Sequence, residues 1–249
     1  MKFGVEHLQE KSENVGENVG VVVLARLSSK RLPGKALMMI DNKEAIGHVL
    51  DRICSVVDKS KIVIATSTEP SDDLLESYAK SYNFRVFRGS LENVSSRFYE
   101  AAKTLDVDYA CRINGDNVFL ATDILIKLID LAKTKKYLFL SNVLNRTFPK
   151  GVSIEIVELN YYHKFLPAIS ASVYHSEHVM TYMYDAANSS CSYFLYSNSA
   201  KDPSPVDLAL DTIEDYNRCC WMAERLDGLN FHLSATLNIY NLYEKHISG

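Results

Sequence analysis

Cysteine is scarce and unpatterned in this 249-residue chain: Cys54, Cys111, Cys191, Cys219 and Cys220 make an odd number, with no C-x-x-C spacing. That speaks against a disulfide framework or a zinc site and for reduced, mostly buried thiols. No apolar run approaches the roughly 20 residues needed to cross a bilayer. The start lacks the charged-then-apolar pattern of a signal peptide. The expectation is a cytoplasmic protein with no membrane partner. Basic charge is not in excess either: 27 Lys and Arg face 31 Asp and Glu, a net charge of -4. Binding to a nucleic-acid backbone rests on clustered Lys and Arg, so nucleic acid is not an expected partner. Small anions need only a local basic pocket. Three chemical signatures are also missing: the P-loop G-x-x-x-x-G-K-[S/T], the dinucleotide G-x-G-x-x-G, and the zinc-binding H-E-x-x-H.

What is present is a core-forming composition, 47% hydrophobic and 23% charged. A chain of this length buries a core without staples. Residues 1–18 are polar, with an echo of Glu-Asn-Val-Gly at 13–16 and 17–20, and read as a mobile N-terminal extension; 19–249 reads as one domain. Buried-strand runs occur at Gly20–Ala25, Lys61–Thr66, Phe84–Phe87, Asp108–Ile113 and Tyr137–Leu140. Helical spacing occupies the intervals: Ala45–Ile53, Ser71–Tyr82 with Ser71 as N-cap, Val94–Leu105, and Asp123–Lys133 capped by Thr122 or Asp123. This alternation predicts an α/β fold, a single doubly wound and mainly parallel sheet. Residues 141–210 are less regular. Val152–Val157 alternates as a half-exposed strand should, helices are expected near 161–170 and 177–184, and strands at Tyr193–Tyr196 and Leu208–Leu210. A helix follows from Thr212 to Leu226. The irregular stretch reads as an inserted region covering the substrate.

The loop after the first strand concentrates charge. Arg26, Lys30, Arg31 and Lys35 surround the hydroxyls of Ser28 and Ser29. Open α/β sheets bind ligands outside the carboxyl ends of their strands. Arginine forks onto phosphate oxygens and lysine supplies a compact charge, so the loop suits a polyphosphate. A solvated basic loop is the plain alternative. Asp116 and Asp211 each follow a strand at the same edge; they suit a magnesium ion, or alternatively a turn and a helix N-cap. Thr66 and Ser67 follow the second strand, where they line a base pocket or make an ordinary turn.

The segment Ala25-Arg26-x-x-Ser29-x-Arg31-Leu32-Pro33-Gly34-Lys35-x-Leu37 closely resembles the signature of CMP-sugar synthetases of the 3-deoxy-manno-octulosonate cytidylyltransferase type, and among them the spore-coat polysaccharide synthesis protein F group. Further stretches are similar in order: Arg88-Gly89-Ser90-x-x-Asn93-Val94-x-x-Arg97-Phe98-Tyr99, Arg112-Ile113-Asn114-Gly115-Asp116-Asn117, Ser176-Glu177-His178-Val179-x-x-Tyr182, and Leu210-Asp211-Thr212-x-Glu214-Asp215. The resemblance spans about 20–226. Val118 and Ile213 stand where the family usually has proline.

The resemblance implies a Rossmann-like, glycosyltransferase-A-like nucleotidyltransferase that transfers CMP from CTP to a sugar hydroxyl, that of a sugar acid, and releases pyrophosphate. It implies Mg2+ on Asp116 and Asp211. Arg26 and Lys35, supported by Arg31, would meet the triphosphate, with Ala25, Ser28, Ser29, Arg97, Asn114 and Gly115 about the nucleotide. Glu155, Glu177 and His178 are the sugar-side candidates, His178 as base or as hydroxyl binder. A homodimer is expected of such a relative. The rival readings are a related-fold nucleotidyltransferase or glycosyltransferase using another nucleotide, and a catalytically silent homologue.

Overall fold

Successive valines of the first strand point to opposite sides and are buried on both. Val19, Val21 and Val23 enter one apolar cluster, Val22 and Leu24 another. A strand covered on both faces reads as a continuous apolar run. The computed structural model describes residues 18–186, 190–197, 202–226 and 231–249. The expected extension at 1–18 therefore falls, apart from Asn18, outside the described residues.

In chain order the elements are β1 (Val19–Leu24), β2 (Met39–Ile40), β3 (Lys43–Glu44), α1 (Ala45–Cys54), β4 (Ile62–Ser67), α2 (Asp73–Ser81), β5 (Arg85–Gly89), α3 (Val94–Lys103) and β6 (Tyr109–Asn114). Then come α4 (Thr122–Lys133), β7 (Phe139–Ser141), β8 (Glu155–Glu158), α5 (Leu159–Ser170), α6 (Val173–Glu177), α7 (Thr181–Asp185), β9 (Ser192–Phe194), α8 (Ile213–Ala223) and α9 (Leu233–Ser248). Seven strands form one sheet in the order β5-β4-β1-β6-β8-β7-β9, and β2 and β3 form a separate ribbon. All neighbouring pairs in the large sheet are parallel except those made by β8, which runs against β6 and β7. The fold is thus α/β and mainly parallel. Helices α1, α2, α4 and α8 supply buried residues to one face, and α3, α5 and α7 to the other. Among the described residues no helix is long and apolar enough to cross a membrane.

The reversal of β8 matters for the site. Its first residue, Glu155, lies opposite Arg112 of β6. The start of β8 therefore shares an edge with the carboxyl ends of β1, β4 and β6.

Several sequence expectations need correction. The stretch 152–157 is buried on both faces, not half exposed: Val152, Ile154, Ile156 and Val157 are inaccessible and Glu155 nearly so. Its alternation reflects two polar residues, the half-buried Ser153 and Glu155, which is neutralised internally by Arg112. Ser71 does not cap a helix, because residues Pro70–Asp72 form a 3-10 turn and α2 begins at Asp73. Thr122 lies inside α4, whose N-cap is Ala121, and Asp123 instead accepts a hydrogen bond from Leu233 N. Leu208–Leu210 is not a strand; a single bridge pairs Lys150 with Asp207. The helix expected over 177–184 is split into α6 and α7 by Val179, whose φ of 44° is left-handed.

Candidate active site

The basic loop is held at both ends. Leu32 and Ala36 are buried beneath it. Gly34, at φ 75°, turns the chain back so that its N–H bonds to Leu27 O at 2.9 Å. Only the left-handed region closes this turn, which suits glycine. Lys35 follows at the start of a 3-10 turn and points inward.

Lys35 is the centre of the arrangement. Its Nζ donates to Asp116 Oδ2 at 2.6 Å, to Asp211 Oδ1 at 2.8 Å and to Leu210 O at 2.8 Å. Arg31 reaches the other oxygen of Asp211 at 2.8 Å. Burial works against the Lys35 charge, yet the two carboxylates outweigh it and hold the ammonium above its ordinary pKa. The two aspartates, far apart in sequence, thus meet on one nitrogen.

Asp116 gets there through Gly115. The Gly115 N–H bonds to Leu24 O at 2.8 Å, and a Cβ there would come within 2.9 Å of the Ala25 side chain. The close approach of the β1 and β6 ends requires glycine. Asp211 is set by the start of α8. Thr212 and Asp215 form a capping box, and Asp215 Oδ2 also accepts from Asp211 N at 3.0 Å. Ile213 is the first residue of this helix, a position where proline is favoured but not required. Val118 is fully buried. Both departures from the family pattern are thus accommodated.

A cavity of about 480 Å³ opens over these groups. It is lined by Ala25, Arg26, Ser29, Arg31, Lys35, Arg97, Asn114, Gly115, Asp116, Glu177, His178 and Asp211, all anticipated from the sequence. Arg26 faces Glu177 at 3.5 Å. The strained Val179 turns the chain just after Glu177 and His178, and the His178 ring packs on Tyr174 at 4.7 Å. His175 faces elsewhere, toward Thr181 Oγ1 at 2.8 Å, so the two histidines do not converge. Arg97 is almost wholly buried, and burial, with Arg26 nearby, pushes its pKa down to about 10.

Other expected residues are placed differently. Ser28 is exposed and does not line the cavity. Thr66 and Ser67 are fully buried and also lie outside this lining. Glu155 lies beneath the floor, not on it. It accepts from Arg112 Nη1 and from Tyr184 OH, the latter at 2.6 Å. Arg112 itself lines the cavity and donates to Asn114 Oδ1 at 2.9 Å. Lys30, expected as one of the four cations of the basic loop, lines the cavity too, and Arg112 is a lining residue to which the sequence reading gave no role. The signal for Arg112 was its place two residues before Asn114 on one strand, which puts both on the same side.

The donor set fits a magnesium ion in one respect: two carboxylates converge at a point now served by an ammonium. Among the described residues no group of three His, Cys, Asp or Glu side chains could hold a metal alone. Phosphate oxygens and water would have to complete the coordination.

Comparison with known proteins is consistent in direction. The family model described as Cytidylyltransferase matches residues 20–205. The spore coat polysaccharide biosynthesis protein SpsF of Bacillus subtilis is 28% identical over 201 residues, covering 78% of this chain and 82% of that protein. A solved cytidylyltransferase from Leptospira borgpetersenii superposes with a TM-score of 0.80 at 29% identity, covering 93% of this chain and 95% of that one. The structure of CMP:2-keto-3-deoxy-manno-octonic acid synthetase complexed with CTP gives a TM-score of 0.60 at 15% identity, over 84% of this chain and all of the other (100%). At that identity the likeness concerns the fold.

Proposed function

This chain belongs to the cytidylyltransferase family, and from that premise we propose that it transfers CMP from CTP to a hydroxyl of a sugar acid, with release of pyrophosphate, for a surface polysaccharide or glycan. The observation that carries this reading is the meeting of Lys35, Arg31, Asp116 and Asp211 at the carboxyl edge of the sheet.

The sugar oxygen attacks the α-phosphorus, a new O–P bond forms, and the bond to the pyrophosphate oxygen breaks. Negative charge grows on the departing oxygens. Arg26, Arg31 and Lys35 line the cavity and would neutralise it; charge stabilisation is the largest kind of catalytic contribution for such a step. Lys35 and Arg31 turn from the carboxylates toward the phosphates as the nucleotide enters. Asp116 and Asp211 would then hold Mg2+, which would polarise the phosphate oxygens. Asn114 and Gly115 border the nucleotide. Glu177 and His178, which line the same cavity, are the sugar-side residues, and His178 is the candidate to receive the hydroxyl proton. The solved neighbour complexed with CTP supports the nucleotide assignment, and a manganese complex among the fold neighbours supports a divalent cation. The same reading makes the protein a cytoplasmic homodimer, which light scattering of the purified protein would test.

The test is pyrophosphate release from CTP with a panel of octulosonic, nonulosonic and neutral sugars. Asp116→Asn and Asp211→Asn should each lower turnover about 100-fold or more while the far-ultraviolet spectrum stays unchanged. Normal turnover in both variants would end this mechanism. Greater thermal stabilisation by UTP, GTP or ATP than by CTP would move the nucleotide assignment.

A further inference from the structure

Asp72 is fully buried, and its carboxylate serves no role that its position suggests. It stands at the N-cap of α2 without making a capping bond. Among the described residues no Lys, Arg or His lies in ion-pair range of it. Instead Oδ1 accepts from Leu27 N at 2.7 Å, and Oδ2 accepts from Ser67 N at 3.1 Å and from the Ser67 hydroxyl.

These partners belong to two different strand ends. Leu27 follows Arg26 in the basic loop, and Ser67 closes β4. One buried carboxylate therefore ties the loop's first residues to the neighbouring strand. The tie is itself rigid. Ser67 Oγ accepts from Glu69 N at 3.2 Å, and Arg88 clamps the same turn from outside through Ser67 O and Glu69 O, both at 2.8 Å. At its other end the loop is closed by Gly34 N on Leu27 O. Leu27 thus receives both closures, one on its N–H and one on its carbonyl.

The sign of the charge is the informative feature. A negative group bonded to the residue after Arg26, with its field acting on Arg97, opposes the binding of a polyanion. An uncharged acceptor would suit a phosphate site better if the residue acted only through its field. An ionised carboxylate is the one side chain that accepts all three of these bonds at once, and hydrogen bonds to a charged group are the strong ones. We propose that Asp72 is a positioning residue for the phosphate-binding loop, holding Arg26 and the residues after it in the shape that receives a nucleoside triphosphate. This rests on the reading that the loop binds such a nucleotide.

The two ways in which Asp72 could matter predict opposite signs. In Asp72→Asn the amide nitrogen would face an N–H or hydroxyl donor, so at least one bond is lost while the negative charge disappears. Positioning predicts CTP affinity, measured by calorimetry, about tenfold weaker, with faster amide exchange at Leu27 in the nucleotide-free protein. A field effect alone predicts tighter CTP binding and unchanged exchange, and that result would overturn the proposal. Ser67→Ala removes one donor and leaves the Leu27 bond. It should weaken CTP about threefold and serves if Asp72→Asn does not fold; unchanged CTP affinity in a folded Ser67→Ala protein would also count against the proposal. The exchange measurement needs no nucleotide, so it separates failure of the tie from failure of the nucleotide reading. If the unaltered protein binds no nucleotide at all, the phosphate role falls and the tie is merely structural.

Discussion

A single ammonium holds two carboxylates that would otherwise repel each other. Lys35 is only 13% exposed, Asp116 22% and Asp211 29%, so solvent screens this cluster weakly. Lys35→Met should lower stability in urea by about 1–3 kcal/mol, because three acceptors lose their donor. The contribution of Lys35 is complete below its ordinary pKa near 10.4 and is lost as pH rises through the higher folded value. The alkaline limb of stability should therefore flatten in the variant, and an unchanged limb would deny the cluster this role. Lys35, Asp116 and Asp211 were legible as a group because each sits in a recognisable motif, although only Asp116 lies just past a strand. Asp72 was not legible. An aspartate before a helix reads as a cap, and its true partner Leu27 lies 45 positions away. Glu155 misled for a similar reason, since nothing in its own neighbourhood announces Arg112, 43 positions earlier.

Secondary elements act here mainly by their ends. The capping box of α8 fixes Thr212 and, through Asp215, the backbone of Asp211. Asp215→Ala should cost about 1–3 kcal/mol of stability and should lower turnover beyond what that loss explains, because Asp211 N loses the carboxylate that seats it. Turnover unchanged at a temperature where the variant is fully folded would show that Asp211 is held elsewhere. Gly151 plays a comparable part. At φ 86° it lets Leu208 and Ala209 pass so closely that a Cβ would lie 2.5 Å from Leu208 C. Gly151→Ala should be among the more damaging single changes, with a loss above about 2 kcal/mol by thermal unfolding. A melting temperature equal to that of the unaltered protein would contradict this. The strands β1, β4 and β6 and helices α1, α3 and α4 were legible from periodicity, because they are buried on one continuous side or on both. The broken helix at Val179 was not, since left-handed valine leaves no mark in composition. Nor was α9, whose sixteen residues bury only Thr236.

Across the whole molecule, acid should act through buried carboxylates. Burial opposes the charge of Asp72, but the N–H groups of Leu27 and Ser67 and the hydroxyls beside it hold its pKa below the ordinary value. Asp215 is likewise opposed by burial and lowered by Arg218 and by the N–H groups of Asp211 and Thr212. Such groups contribute fully above about pH 4, the unfolded value, and that contribution drains away as pH falls through the lower folded one. Asp72→Asn should therefore shallow the acid limb of a urea-monitored stability profile, and an identical limb would show that Asp72 is not among the groups responsible. The sheet as a whole was legible from the order of strands and helices. The reversal of β8 was not, because direction within a sheet is set by its neighbours. Lys35 and Asp211 lie 176 positions apart. A ribosome releases the sheet, the basic loop and Asp116 well before it releases position 211. Domains take shape from the amino end as they emerge, so a nascent chain already bearing most of its architecture still lacks half of the acidic clasp. Competence for the nucleotide arrives late and all together, and a chain truncated before Asp211 would fold much of its sheet yet stay inert.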